Sequence, residues 1–177
     1  MKLYLKKDIV GEFLSNWRVK RVLPFIGGRL LDFACGDNSL VKRYGSGKGL
    51  DITPYENVDL VIEEFSSIPL PNNSADCITI LASINLFKQL PDTLTECNRL
   101  LSTNGKIIIT LPNPVPLKIW HLLRPIDWEI IDYYSDDKLN NMFKTAGFKL
   151  SYQEKFMFFM NNIFIYEKLE KQSSPKT

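Results

Sequence analysis

The sequence predicts an α/β sandwich in which a mostly parallel sheet of seven strands ends in a C-terminal antiparallel hairpin. Short apolar runs alternate with amphipathic helical segments between residues 29 and 147, and this alternation is typical of parallel sheets with right-handed crossovers. The last two apolar runs, around residues 148–155 and 162–168, lie too close together for a crossover, so we expect them to pair as a hairpin. The length of 177 residues, 45% of them apolar, suits one domain with a buried core.

The N-terminal half begins with a helical segment, which is followed by three short strands. Apolar residues recur at helical spacing from Asp8 to Phe25, and the pair Gly27-Gly28 ends the helix. The strands are expected at residues 29–34, 48–51 and 58–62, and a two-turn helix is expected at 38–44, after the first strand. Between the second and third strands the chain is too short for a helix, so helix content is reduced there. One face of the sheet should be thinly covered, and a homodimer would be consistent with that.

The C-terminal half continues the alternation. A fourth strand at residues 76–82 follows the turn-forming segment 71–74. An amphipathic helix over 86–101 and the turn Asn104-Gly105 lead to a fifth strand at 106–111. Ser135 is expected to cap a helix over 136–145, and Gly147 to end it. Residues 1–168 then form a single domain, with 1–27 as its N-terminal helical segment, and 169–177 form a disordered tail.

The composition excludes several classes of protein. Lys and Arg are scattered and the net charge is +2, which gives no footprint for nucleic acid. No apolar run approaches the ~18 residues of a membrane span. Three widely spaced cysteines and one histidine argue against a disulfide framework and against a zinc site. We therefore expect a cytoplasmic protein without a metal.

Open parallel sheets bind ligands at the carboxyl ends of their strands. The first strand ends in Asp32-Phe-Ala34-Cys-Gly36, where small residues let backbone amides approach a ligand. The second strand ends in Asp51, whose carboxylate can accept both hydroxyls of a ribose. A dinucleotide site would want Gly-x-Gly-x-x-Gly here, and only one of the three glycines is present. A nicotinamide-dependent oxidoreductase is therefore weakly supported.

Taken in order, these segments resemble the class I S-adenosylmethionine-dependent methyltransferases, in particular the methyltransferase type 11-like domain. Leu30 to Asn38 is similar to the first motif of that family, Gly49 to Ile52 to its second-strand acid, and Glu63 to Asp76 to the loop that flanks adenine. The resemblance covers about residues 28 to 168. It implies a three-layer Rossmann-like sandwich, S-adenosylmethionine as the cofactor and S-adenosylhomocysteine as the product.

The resemblance also implies which residues bind the cofactor. They are Asp32, Ala34 and Gly36 at the methionine end, Asp51 and Ile52 at the ribose, Glu64 and Phe65 at the adenine, and Leu81 and Ala82, whose backbone carbonyls would meet the amino group. Ala34 and Asn38 depart from the family pattern, because each stands where a glycine is usual. Asn38 is expected to leave less room near the methionine carboxylate.

The expected reaction is an in-line methyl transfer to a small-molecule or glycan-related acceptor. Its main requirement is alignment of the reactants, so a general base is optional and none is assigned. Candidate bases without a decisive claim are His121, Asp127, Tyr133 and Tyr134, and Asn85 could orient an acceptor. The apolar segment 115–131 is expected either to cover the substrate or to pack on the core.

A second reading of the same features is a degenerate methyltransferase-fold protein that acts as a non-catalytic interaction module. The missing helix after the second strand favours this reading. The retained acids Asp32, Asp51 and Glu64 favour the enzyme.

Overall fold

The structure, a computed structural model, describes residues 9–113 and 134–170. Its strands are β1 (Leu30–Phe33), β2 (Lys48–Asp51), β3 (Leu60–Val61), β4 (Ala75–Leu81), β5 (Leu101–Pro112), β6 (Phe148–Phe156) and β7 (Asn161–Lys168). Its α-helices are α1 (Ile9–Val22), α2 (Ser39–Tyr44), α3 (Leu90–Leu100) and α4 (Asp136–Thr145), with single 3-10 turns at Leu23–Phe25 and Ile84–Leu86.

The seven strands form one sheet in the order β3-β2-β1-β4-β5-β7-β6. The first five strands are parallel, whereas β7 runs antiparallel to both β5 and β6. This confirms the predicted fold class. Because β2 lies on one side of β1 and β4 on the other, the strand order reverses between β1 and β4. The carboxyl ends of these two strands therefore border the crevice where such sheets bind ligands.

Apolar residues fill both faces of the sheet, as expected for strands buried on two sides. On one face Phe33, Ile78 and Ile109 pack with Leu94 of α3 and Phe143 of α4. The opposite face is covered by α1 and α2, and its buried residues include Val19, Leu40, Cys77, Ile108 and Ile163. We call it the α1 face. All four residues of β1 are buried, so the strand that leads into the crevice is held rigidly.

The predicted bounds differ most from the structure in α3, β5 and β3. Residues 87–89 are not helical: a 3-10 turn ends at Leu86, and α3 begins at Leu90, with Pro91 in its first turn. β5 begins at Leu101 rather than at residue 106, because Leu101 pairs with Ala75 before the register shifts. β3 spans only Leu60–Val61 instead of the predicted residues 58–62. As the spacing predicted, none of the described residues between β2 and β3 is helical.

An ion pair on α3 anchors the loop that leads into β4. The Glu96 carboxylate accepts hydrogen bonds from the Ile68 backbone N–H (2.8 Å) and from the Arg99 guanidinium (2.6 Å). Arg99 also donates to the carbonyls of Ile68 (3.0 Å) and Leu70 (2.8 Å). These bonds satisfy loop polar groups that would otherwise be left unpaired, so the pair fixes the path of the chain between the crevice and β4.

Substitution Arg99→Met should destabilise the fold by about 2 kcal/mol, because the nearly buried Glu96 would lose its cation and two loop carbonyls their donor. For a domain of this size that corresponds to a fall in Tm of about 4–8 °C. Differential scanning calorimetry measures it. Arg43→Met is the matched control, since Arg43 is exposed and bonds only the Asn16 side chain among the described residues. Equal Tm values for the two variants would contradict the anchoring role.

Candidate functional site

The turn after β1 forms a cradle of small residues. Ala34, Gly36 and Asn38 all adopt left-handed backbone conformations, with φ of 55°, 56° and 60°. The turn is tied to β2 by a hydrogen bond from the Cys35 N–H to the Leu50 carbonyl (3.1 Å). A Cβ placed on Gly36 would meet no atom within 4 Å, so the turn opens onto space rather than onto protein. A ligand can therefore approach the backbone there.

Asp51 connects this cradle to the end of β2. Its Oδ2 accepts a hydrogen bond from the Gly36 N–H (3.0 Å), and its Oδ1 accepts one from the Thr53 N–H (2.9 Å). The residue is only 6% exposed. A carboxylate can accept about four hydrogen bonds in all, so this one keeps acceptor capacity for the hydroxyls of a ligand. Two of the residues predicted from the sequence, Gly36 and Asp51, are in direct contact.

Asp32 lies beneath the cradle rather than in the crevice. It is buried next to Thr79, its partner in register, and the Thr79 hydroxyl donates to its Oδ1 (2.6 Å). Burial raises the pKa of Asp32 to about 7 against the opposing effect of that hydrogen bond, and the nearby Asp51 charge adds to the rise. The side chain therefore supports the turn from below, and its contact with the methionine end stays a prediction.

Cys35 is part of the same turn, but its surroundings suppress its reactivity. Burial and the neighbouring carboxylates, Asp32 foremost, raise the pKa of the thiol to about 12. The thiolate is the reactive form of cysteine. Cys35 is thus a small packing residue here and not a nucleophile.

Asn38 has a structural role that the sequence reasoning missed. Its Nδ2 donates to the Asn57 carbonyl (2.8 Å) and to Asp59 Oδ2 (2.7 Å). The side chain is thus directed toward the β2–β3 connection, and the expectation that Asn38 leaves less room near the methionine carboxylate stays a prediction. The side chain lies over Gly49, where an added Cβ would come within 2.1 Å of Asn38 Oδ1. The two hydrogen bonds of Asn38 therefore hold the connection between β2 and β3, which has no helix among its described residues.

The other predicted cofactor residues lie around the same crevice. Ile52 is 55% exposed beside Asp51, and Glu64 is exposed in the loop after β3. Phe65 is 8% exposed, and its ring stacks between Phe33 (5.4 Å) and Phe87 (4.6 Å), so it belongs to the core. These three assignments remain predictions.

Leu81 and Ala82 mark the end of β4. Both are half-buried, and Ala82 has a φ of 57°. The Ala82 N–H donates to the Thr110 carbonyl (3.0 Å), which turns the chain across the end of β5. The predicted role of their carbonyls toward an amino group also remains a prediction.

Several candidate residues fall outside the described part of the chain: His121, Asp127, Tyr133 and the segment 115–131. Tyr134 lies under the Lys138 ammonium (5.1 Å), and Asn85 has a buried Oδ1 with no hydrogen-bond partner among the described residues. Over residues 9–113 and 134–170 there is no cluster of side chains suited to a metal ion. Nor does this part of the chain contain a helix long and apolar enough to span a membrane.

A broad depression of about 1100 Å³ lies away from the crevice, near the start of β5 and the end of β7. Its lining includes Asn72, Arg99, Asn104, Gly147 and Lys168. It borders the amino ends of the parallel strands, whereas the ligands of open parallel sheets bind at the carboxyl ends. Size alone therefore does not make it the functional site, and we assign that role to the crevice at Asp51.

Comparison with known proteins agrees with this geometry. A family model described as a methyltransferase domain matches residues 11–153. A demethylmenaquinone methyltransferase of Thermotoga maritima is 25% identical over 208 residues, covering 90% of this chain and 90% of that protein. UbiE of Pseudomonas fluorescens, a ubiquinone/menaquinone biosynthesis C-methyltransferase, is 23% identical over 134 residues, covering 59% of this chain and 52% of its own length.

Solved structures agree on the fold. The crystal structure of a S-adenosylmethionine-dependent methyltransferase of Thermotoga maritima, described as a possible histamine N-methyltransferase, matches with a TM-score of 0.68 and 14% identity. The match covers 90% of this chain and 96% of that one. At this level of identity the match establishes the architecture alone.

The burial of Asp32 predicts a pH-dependent stability. Its folded-state pKa of about 7 lies above the ordinary value of an aspartate, so the folded state holds the proton more tightly. The resulting stabilisation is complete below about pH 4 and is lost as the pH rises through 7, by at most ~1.4 kcal/mol per pH unit. Relative to Asp32→Asn, the wild type should therefore lose stability between pH 5 and 7, as measured by urea unfolding.

Asp76→Asn is the control for this titration. The Arg29 guanidinium holds the pKa of Asp76 well below its usual range, so the stability difference for this variant should stay flat from pH 5 to 8. An equally flat difference for Asp32→Asn would contradict the raised pKa.

Proposed function

The chain belongs to this methyltransferase domain family, and from that premise we propose that the crevice at Asp51 is its cofactor site and that the acceptor is a small organic molecule. The enzyme class and the cofactor predicted from the sequence, a methyltransferase that uses S-adenosylmethionine, are confirmed by the family match and the methyltransferase relatives. The residues that bind the cofactor and the identity of the acceptor are our proposal.

The Asp51 carboxylate is the observation that carries this proposal. Two backbone N–H groups, of Gly36 and Thr53, hold it in place at the end of β2. Its remaining acceptor positions suit the two hydroxyls of a ribose. The open space above Gly36 suits the part of a ligand that must approach the backbone. The residues present therefore fit S-adenosylmethionine.

Bound in such a crevice, S-adenosylmethionine supplies a methyl group on a positively charged sulfur, which becomes a neutral thioether after transfer. The residues of the chain bind S-adenosylmethionine and orient its methyl group toward the acceptor. Asp51 would hold the ribose, the amides of the β1 turn would line the methionine end, and the carbonyls of Leu81 and Ala82 would accept hydrogen bonds from the amino group. Alignment of this kind can supply up to ~7–11 kcal/mol of a reaction barrier.

Two relatives indicate the type of acceptor. One is named a demethylmenaquinone methyltransferase, and the other a ubiquinone/menaquinone biosynthesis C-methyltransferase. We therefore place an oxygenated aromatic ring, in its hydroquinone form, ahead of the glycan-related acceptor predicted from the sequence. A non-catalytic interaction module is the second candidate function, because the connection between β2 and β3 contains no helix.

Location and assembly are part of the same proposal. Cys35, Cys77 and Cys97 are free thiols, which suits a reducing, cytoplasmic compartment. The apolar side chains of Ile52, Tyr55 and Val61 are exposed near the β3 edge of the sheet. Such a patch would be covered in a homodimer.

A radiolabel assay tests the proposed reaction. The protein is incubated with methyl-labelled S-adenosylmethionine and either 1,4-naphthohydroquinone or a nucleotide sugar, and products are identified by mass spectrometry. We expect a methylated naphthohydroquinone and a loss of about 100-fold in kcat/KM for Asp51→Ala, as for two lost charged hydrogen bonds.

Glu56→Ala is the control, because Glu56 is an exposed acid in the same connection. Labelling of the nucleotide sugar alone would mean that the acceptor is glycan-related and not a hydroquinone. A folded protein that labels neither acceptor and does not bind S-adenosylhomocysteine would contradict the proposed function.

A further inference from the structure

Helix α1 carries a half-buried arginine on the side that packs against the sheet. Leu14, Arg18 and Val22 recur at every fourth residue, and both Leu14 and Val22 pack into the α1 face. Arg18 therefore lies on the inward stripe of the helix. Its Nε is buried and has no hydrogen-bond partner among the described residues. Burial lowers the pKa of this guanidinium, and no carboxylate of the described chain offsets that effect.

Two contacts fix the part of the sheet that Arg18 faces. One residue before it, the Trp17 ring packs edge-on against Phe158 (5.7 Å), in the turn between β6 and β7. One turn after it, Arg21 forms an ion pair with Glu154 of β6. In the sheet, Glu154 lies opposite Ile163 of β7, and Phe156 lies opposite Asn161. Arg18 stands between these two contacts on the helix, so we place it over the first residues of β7.

The sheet presents two more unpartnered polar groups at this place. Thr110 lies opposite Ile163, and Asn161 lies diagonally across from Thr110 on the same face. They are 0% and 5% exposed. Thr110 Oγ1 and Asn161 Oδ1 are buried without a hydrogen-bond partner among the described residues. The Asn161 side chain is oriented by its Nδ2, which donates to Met157 Sδ (3.3 Å).

Buried polar atoms that lack hydrogen-bond partners are costly. Buried charges in proteins are normally paired, and buried polar groups normally hydrogen-bonded. Here a guanidinium donor, a hydroxyl and an amide carbonyl come from facing surfaces, α1 on one side and β5 and β7 on the other. Together they match a hydroxyl oxygen, or the anion that this oxygen becomes when the proton is lost.

The position of the cluster relates it to the crevice. Thr110 pairs with Leu81, and its carbonyl accepts the Ala82 N–H. It is thus one strand beyond the end of β4, on the side away from β1 and from Asp51 on β2. A ligand that extends across the sheet from Asp51 past the end of β4 would reach it last. This is the side on which an acceptor would meet the cofactor.

We propose that Arg18, Thr110 and Asn161 form a subsite that holds a phenol oxygen of the methyl acceptor, as the hydroxyl or as the phenolate. The inference rests on the proposed function and adds the acceptor group that the enzyme recognises. Arg18 supplies charge and N–H donors, Thr110 a hydroxyl, and Asn161 an acceptor for a hydroxyl proton. The subsite is a positioning device: it fixes the ring and leaves the methyl transfer to the crevice.

Arg18→Met tests the subsite, with Lys20→Met as the control on the exposed side of the same helix. The KM for 1,4-naphthohydroquinone should rise at least about tenfold in Arg18→Met, as for loss of a charged hydrogen bond. The Kd of S-adenosylhomocysteine should not change. The Tm should stay level or rise, because a guanidinium whose buried Nε has no hydrogen-bond partner among the described residues is removed. Arg18→Lys, which keeps the charge, should recover part of the KM.

Two further measurements separate the sources of the bound oxygen. If Arg18→Met weakens S-adenosylhomocysteine but not 5′-methylthioadenosine, which lacks the amino-acid part, the group held is the carboxylate of the cofactor, and the subsite for the acceptor is overturned. If the wild type proves not to bind S-adenosylhomocysteine, the proposed function fails. The subsite is then judged by 1,4-naphthohydroquinone alone, which should raise the Tm of the wild type and not that of Arg18→Met.

Two other results would overturn the subsite. One is a clear fall in Tm in Arg18→Met with every ligand constant unchanged, which would make Arg18 a structural residue. The other is a wild type and an Arg18→Met variant that respond alike to all of these ligands, which would mean that buried water alone occupies the cluster.

Discussion

The organisation of this molecule depends on one carboxylate. Asp51 accepts hydrogen bonds from the amides of Gly36 and Thr53, and so joins the turn after β1 to the connection after β2. That connection has no helix among its described residues, and the hydrogen bonds of Asn38 to Asn57 and Asp59 hold it together with those between Gly49 and Asp59. The same carboxylate that stabilises these two loops keeps capacity to bind a ligand. Stability of the crevice and recognition of the cofactor thus depend on the same atoms.

Three residues on the inside of the fold show how it treats charge: Asp32 and Glu96 are buried, and Arg18 is half-buried. Asp32 has one hydrogen bond, from Thr79, and responds to burial by a raised pKa. Glu96 is paired with Arg99 and holds a loop. Arg18 has neither kind of compensation among the described residues. The unpartnered Arg18 Nε is the observation on which the proposed subsite rests.

The elements governed by local signals could be predicted from the sequence. β2 and α4 have the predicted bounds, and Ser135 caps α4 by accepting the Lys138 N–H (3.3 Å). Features that depend on tertiary contacts could not be predicted. β5 extends back to Leu101 only because Ala75 lies beside it, and Phe65 joins the core through two stacked rings. Likewise, an arginine on an apolar stripe gives no sign in the sequence of what it faces.

The most direct test of the account is a thermodynamic cycle on Asp51. The Kd of S-adenosylhomocysteine and that of its 2′,3′-dideoxyribose analogue are measured by calorimetry, for the wild type and for Asp51→Ala. If the carboxylate binds the ribose hydroxyls, their removal should weaken binding at least about tenfold in the wild type and hardly at all in Asp51→Ala. An equal loss in both proteins would contradict the assignment of Asp51 and with it the cofactor site proposed here.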